Sequence, residues 1–245
     1  MIPELSIIIP CYNEAENIPL ILERFSKILD NTSKNSIELI LVDNNSKDST
    51  KEVLSKELSK KGYSFTRTIS QPIPGYGAAI HKGLKFAKGE FLCWTHADLQ
   101  TDPEDCLKAL KFMKKLKSPG NVFIKGNRKG RPFLDKFFEA GMSLFETIIL
   151  GKSMYDINAQ PNLFHKSFLK FMKKPPQDFS FDLYAYYLAK KNKYNIKRFE
   201  VLFPKRIHGH SAWNFGFKSK IKFIKRTIDF TIKLKGKLKN ENSYS

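Results

Sequence analysis

Residues 6–17, SIIIPCYNEAEN, and residues 39–50, LILVDNNSKDST, decide the fold. In each, a short apolar run rich in β-branched residues breaks off into a polar cluster, the pattern of a buried strand running into a loop. Leu5 to Ile9 reads as the first strand and Ile37 to Val42 as the second. Between them Asn13, with Glu16 three residues on, has the form of a capping box. Ile18, Ile21, Leu22, Phe25 and Leu29 then supply an apolar stripe at helical spacing.

The alternation continues outward. A helix is expected over Asp48 to Lys61, a strand over Ser64 to Ile69, a helix over Tyr76 to Ala87 and a strand over Glu90 to Thr95. Asp102 and Pro103 open a helix carrying Leu107, Leu110, Met113 and Leu116. Beyond residue 120 the pattern loosens to a strand near Val122 to Lys125, a helix from about Leu134 to Leu150, an extended Asn162 to Phe164, a helix over Asp182 to Lys191 and a strand over Ile196 to Phe203. Alternating strands and helices predict an α/β fold, a mostly parallel central sheet flanked by helices, with ligands at the carboxyl ends of the strands. The polar clusters at Asn13–Glu14, Asp43–Ser49 and His96–Asp102 fall at those ends.

With 245 residues, 41% of them hydrophobic, the chain can bury a sizeable core and is not of disordered composition. No run reaches the roughly 20 apolar residues of a spanning helix. The apolar start is too short, and too close to Glu4, for a secretory signal, so a cytoplasmic protein is expected. Cys11, Cys93 and Cys106 form neither a CxxC pair nor an even disulfide framework. The net charge of +19 is unevenly spread: residues 1–100 carry 12 basic and 12 acidic side chains, leaving the whole excess to residues 101–245. That asymmetry points to an anionic partner for the second half. Lys218 to Lys239 holds nine Lys/Arg against Asp229, interleaved with Ile221, Ile224, Ile228, Phe230 and Leu234, and reads as a basic amphipathic helix.

Residues 73–105, IPGYGAAIHKGLKFAKGEFLCWTHADLQTDPED, do not make a dinucleotide loop, because Ile80 stands where GxGxxG requires its last glycine. Asp98 and Gln100 lie two apart after an apolar strand. In an extended segment their oxygens would point the same way and suit a hard divalent cation beside a diphosphate; an Asx turn ahead of Pro103 is the alternative.

Taken together, these stretches resemble glycosyltransferase family 2 with its GT-A fold, over roughly residues 4–215, and most nearly the polyprenyl-phosphate (dolichol-phosphate mannosyltransferase-like) sugar transferases. The resemblance implies a nucleotide-sugar donor gripped by Pro10, Tyr12, Glu14, Asp43 and Asp98, with Mg²⁺ or Mn²⁺ as cofactor. In relatives a DADLQ motif supplies the metal ligands; here it reads His96, Ala97, Asp98, Leu99, Gln100, so His96 replaces the first acid, and Asn44 follows Asp43 where a second acid is common. GNRKGR (126–131) and FPKRIHGHSAW (203–213) correspond to the family's phosphate-holding stretches, which assigns Arg128 and Arg206 to phosphate; guanidinium forks suit that task. YDINAQPNLFHKSFL (155–169) corresponds to the acceptor-side segment, with Pro161 in place of a glycine, and places Asp156, Asn158 and Gln160 near the acceptor. Asp182 stands where inverting relatives keep a general base, and reads equally as the N-cap of its helix.

The expected organisation is a GT-A domain over 1–215, divided into a nucleotide-sugar half (1–120) and an acceptor half (121–215), followed by the basic amphipathic helix and tail over 216–245. The expected activity is inverting transfer of a sugar to a polyprenyl-phosphate-type lipid, peripherally on the inner face of the cytoplasmic membrane, with an anionic membrane surface as partner. The alternative acceptor is a sugar hydroxyl in lipopolysaccharide or capsule biosynthesis. A non-catalytic, polyanion-binding relative is the rival class; nucleic acid is not expected, because the aromatics are not spaced as a stacking platform. Donor base, sugar and oligomeric state stay open.

Overall fold

A computed structural model describes residues 2–29, 36–60, 62–130, 133–204 and 216–242. In chain order the elements are β1 (Leu5–Cys11), α1 (Asn17–Ile28), β2 (Ile37–Asp43), α2 (Thr50–Leu58), β3 (Thr66–Ser70), α3 (Tyr76–Phe86), β4 (Phe91–Trp94) and α4 (Glu104–Lys114). They continue with β5 (Val122–Lys129), α5 (Phe133–Leu150), β6 (Asn162–His165), α6 (Phe181–Lys191), β7 (Asn195–Leu202) and α7 (Gly216–Asn242). The seven strands form one sheet in the order β3-β2-β1-β4-β6-β5-β7. Every pairing is parallel except those of β6, which runs antiparallel to both β4 and β5.

The sequence accounts for this layout. All seven residues of β1 and of β2 are buried, as expected of strands covered on both faces. Ile7 and Ile9 face a core shared with Ile18, Leu22 and Phe25 of α1 and with Cys106, Ala109 and Met113 of α4. Elsewhere aromatic rings fill the interior: Trp94 meets Phe123, Phe164 and Phe181 edge-on, and Phe123 stacks on Phe164. Burying each such side chain contributes about 1.5–3 kcal/mol.

The chain divides into two compact units, Met1–Gly130 with Ala159–His208, and Arg131–Asn158 with Gly209–Ser245. The first holds the sheet, α1 to α4 and α6. The second consists of α5, the loop after it and α7, with α5 packed along α7. A helix, α7, spans Gly216–Asn242. Among the described residues no helix is long and apolar enough to cross a membrane.

Two local expectations are overturned. The capping box at Asn13 and Glu16 does not form. Asn13 sits at φ 57°, its side-chain oxygen accepts the Lys47 N–H at 2.8 Å, and Glu16 makes no capping bond. A tertiary bond between the first two loops has outcompeted the local one. Nor is Asp182 an N-cap: Ser180 holds that position, and Asp182 lies in the first turn of α6 with its carboxylate turned inward.

Candidate active site

The strand order reverses at β1. From β1 the chain builds outward to β2 and β3, then crosses back so that β4 lies on the other side of β1. The carboxyl ends of β1 and β4 therefore flank a topological switch point, where open α/β sheets bind ligands. Pro10 is buried at the end of β1, Tyr12 beyond it is 47% exposed, and Glu14 is half-buried. Glu14 accepts from the Asn17 side chain at 2.6 Å, and its N–H donates to Thr50 Oγ1 at 2.8 Å. Asp43 closes β2, buried, with Oδ1 accepting the Ser46 N–H at 3.1 Å. Asn44 does not face a ligand with its oxygen: Oδ1 accepts the Gly75 N–H at 2.8 Å and so fixes the start of α3 to the end of β2.

Residues 98–100 are not extended. Leu99 adopts φ 55°, and the Gln100 N–H donates to Asp98 Oδ1 at 3.1 Å, an Asx turn. Gln100 Nε2 donates to the Pro204 carbonyl at 3.0 Å. The parallel alignment of Asp98 and Gln100 expected from strand alternation is thus replaced by a turn, with Asp98 buried and Gln100 half-buried. A leucine in the left-handed region is uncommon, and such strain concentrates at functional loops. His96 is half-buried, its ring 5.6 Å from that of Tyr76.

A carboxylate and an amide oxygen suit Mg²⁺ or Mn²⁺, whereas an imidazole such as His96 is foreign to Mg²⁺. Among the described residues no group of three His, Cys, Asp or Glu converges on one point. Asp98 and the Gln100 amide oxygen are the oxygen donors that this loop offers such a cation.

Asp182 accepts hydrogen bonds from four side chains of the sheet unit. Its Oδ1 accepts from Trp94 Nε1 at 2.9 Å, Gln160 Nε2 at 3.0 Å and Asn162 Nδ2 at 3.3 Å, and its Oδ2 accepts from the Tyr76 hydroxyl at 3.1 Å. Burial first, then the neighbouring carboxylates of Asp182 and Asp98, push the Tyr76 phenol well above its usual range, so it remains a donor. The Tyr76 ring stacks on Phe179 at 4.7 Å. On the far side, fully buried Lys125 donates to the Asn162 amide oxygen and to the Ala159 carbonyl, and lies 5.3 Å from the Tyr186 ring centre. A buried cation and a buried anion are thus joined through Asn162. Each meets several hydrogen-bonding groups, the condition under which buried charge is tolerated.

Arg128, on β5, is half-buried with its guanidinium 5.2 Å from the Phe203 ring centre. Arg206, together with Lys205, His208 and His210, lies outside the described residues, as does Arg131. In the second unit Asp156 is buried at φ 41° and Asn158 is half-buried.

The structure thus brings Tyr76, Trp94, Lys125 and Asn162 into a cage with Asp182 and Gln160, and sequence reasoning had singled out only the last two. One signal was available: a lysine inside the apolar run VFIK is a charge at a core position. Gly77 is explained as well, since a Cβ there would stand 2.3 Å from the Pro176 carbonyl oxygen, so the segment before α6 needs glycine to approach α3.

Known proteins share this architecture. A dolichyl-phosphate β-glucosyltransferase of Dictyostelium discoideum is 27% identical over 203 residues, which are 76% of this chain and 62% of that protein, so less than two thirds of the relative is matched. The glucosyl-3-phosphoglycerate synthase of Mycobacterium tuberculosis, solved with Mn²⁺, UDP and glucosyl-3-phosphoglycerate, superposes with a TM-score of 0.70 at 15% identity, covering 95% of this chain and 80% of that one. The mannosyltransferase PcManGT of Pyrobaculum calidifontis, solved with GDP-Man and Mn²⁺, gives 0.64 at 18% identity, covering 87% and 60%. At these identities the two structures speak for the GT-A fold. The family model for glycosyl transferase family 2 matches residues 6–231, nearly the whole chain, and with the strand order and the loops at the switch point the conclusion is direct: this chain is a member of glycosyl transferase family 2.

Proposed function

We propose that the chain transfers a sugar, with inversion, from a nucleotide-sugar donor to a polyprenyl-phosphate-type lipid at the cytoplasmic membrane face. The donor lies across the β1/β4 switch point, where Pro10, Tyr12, Glu14 and Asp43 grip the nucleotide. Asp98, with Gln100 and His96, holds the diphosphate end together with Mg²⁺ or Mn²⁺. When bound, the cation offsets the charge developing on the departing diphosphate. Arg128 and Arg206 hold phosphate oxygens of acceptor and leaving group through paired N–H donors that never lose their charge. Catalysis is then mainly positioning and charge neutralisation.

One observation carries the choice of acceptor: the Asp182 carboxylate is engaged by four internal donors and is 2% exposed. A hydroxyl acceptor needs a base to take its proton, whereas a phosphate monoester is already anionic at neutral pH. A carboxylate locked into the cage favours the acceptor that needs no base, and the dolichyl-phosphate relative agrees. On this reading Asp182 positions Tyr76 and does not move a proton.

The test is to incubate the protein and Mg²⁺ or Mn²⁺ with a panel of radiolabelled nucleotide sugars and a short-chain polyprenyl phosphate, and to count label entering the organic phase. Transfer abolished by Asp98→Ala is expected. Asp98-dependent donor hydrolysis without lipid labelling would transfer the assignment to a hydroxyl acceptor.

A further inference from the structure

Within the second unit, α5 has an uncommon surface. Between Phe137 and Leu150 every exposed position is apolar or lacks a side chain: Phe137, Phe138, Ala140, Gly141, Leu144 and Ile148. Phe137, Leu144 and Ile148 are 68%, 61% and 68% exposed, and their spacing of seven and four puts them in one line along the helix. Ser143, Glu146 and Leu150 form the buried side. Single exposed apolar residues are ordinary on a protein surface, but a line of large ones marks a surface that meets a protein or a membrane. The helix packed along it, α7, carries nine Lys/Arg against Asp229 and Glu241, with Lys225 and Lys233 exposed alongside Ile221 and Ile232.

We propose that α5 is the membrane-inserting element: it lies in the interface of an anionic bilayer with Phe137, Leu144 and Ile148 among the acyl chains, while the cations of α7 meet lipid phosphates. An apolar line beside a strongly basic helix is the charge and polarity profile of an interfacial segment. A second copy of the chain is the poorer occupant, because it would bring two basic helices and two chains of net charge +19 together. The proposal extends the membrane location given above and assigns insertion to α5, leaving α7 the electrostatic part. It is tested by binding alone, so that failure to dock and failure to transfer sugar are separate results.

Flotation with phosphatidylcholine vesicles, with and without phosphatidylglycerol, is expected to show binding that needs the anionic lipid and weakens with salt. The double variant Leu144→Glu/Ile148→Glu should bind at least about tenfold more weakly with an unchanged circular dichroism spectrum. Should that variant not fold, Leu144→Trp decides, because its added indole emission must shift to the blue on anionic vesicles. Absence of wild-type binding, undiminished binding by the Glu variant or an unshifted indole would each overturn the proposal. A wild-type dimer that the Glu variant converts to monomer would also overturn it, giving the surface to a second copy.

Discussion

Replacing Asp182 separates a positioning role from proton transfer. In Asp182→Ala the Gln160 amide still donates to the Tyr76 oxygen at 3.2 Å, and the Asn162 amide still donates to Gln160 Oε1 at 2.6 Å and to the Ala159 carbonyl at 3.3 Å. Trp94 Nε1 and the Tyr76 hydroxyl lose the acceptors they had in Asp182. Two buried donors at about 1–3 kcal/mol each, with the added cost of buried Lys125 losing its counter-charge, give a loss of roughly 3–5 kcal/mol. Asp182→Asn keeps an oxygen for the three Oδ1 donors and offers an N–H₂ to the Tyr76 oxygen, so about 1–2 kcal/mol is expected. Urea unfolding measures both, as changes in midpoint at constant m-value. The decisive arm is kinetic: Asp182→Asn should keep turnover within about tenfold of wild type, with an unaltered pH profile. A variant of near-native stability that loses about a thousandfold or more in turnover, together with the ascending limb of the profile, would identify Asp182 as a base and refute the reasoning.

Three further outcomes are expected. Burial pushes the Glu146 carboxyl up to about 8, so folding favours its protonated form; the stability this gives is present in acid and is lost as pH rises from about 4.5 through 8, by at most about 5 kcal/mol. Glu146→Gln should accordingly flatten the fall in melting temperature between pH 5 and 8, and parallel profiles would contradict the assignment. Burial opposes ionisation of Glu38, but bonds from the Lys88 N–H, Ser6 and Arg67 outweigh it and hold the carboxyl below its usual range. Its contribution exists above that range and disappears as pH falls through the folded value, so Glu38→Gln should cost about 1–3 kcal/mol at pH 7 and little near pH 3 in denaturant titrations. Gly126→Ala would place a Cβ 2.0 Å from the Gln160 carbonyl oxygen, and a loss of at least about 2 kcal/mol is expected by thermal unfolding; a neutral substitution would show that β5 can move away from the 159–162 segment.

Much of this fold is legible in the chain, for identifiable reasons. Fully buried parallel strands leave continuous apolar runs, so β1, β2 and β4 stand out, and the polar residues after them mark the strand ends. The direction of β6 is not legible, because a four-residue extended run carries no sign of whether its partners are parallel. Local signals fail where tertiary bonds compete: Asn13 has the chemistry of a cap but spends its oxygen on Lys47. The cage escapes sequence reading because Tyr76, Trp94, Lys125, Gln160 and Asn162 reach Asp182, directly or through one another, from positions 20 to 106 residues away along the chain where direct bonds are made. The outer face of α5 escapes for another reason: Ser143 and Glu146 lie on its buried side and Phe137, Leu144 and Ile148 on its exposed side, the reverse of the usual polarity, and only the packing of its neighbours reveals it.

The long reach of Asp182 also bears on how the polypeptide comes into being. Trp94 is synthesised 88 residues before the carboxylate that will accept its hydrogen bond, and Tyr76 106 residues before. At about 5–20 residues per second that interval is roughly 4–20 s. Throughout it the nascent first half has strands and helices ready to associate, while the Trp94 indole and the Tyr76 hydroxyl lack the carboxylate they will bond. Burial of Trp94 and Tyr76 with all their bonds made is therefore completed only once α6 has been synthesised, so the last helix of the sheet unit closes an interior begun by the first half of the chain.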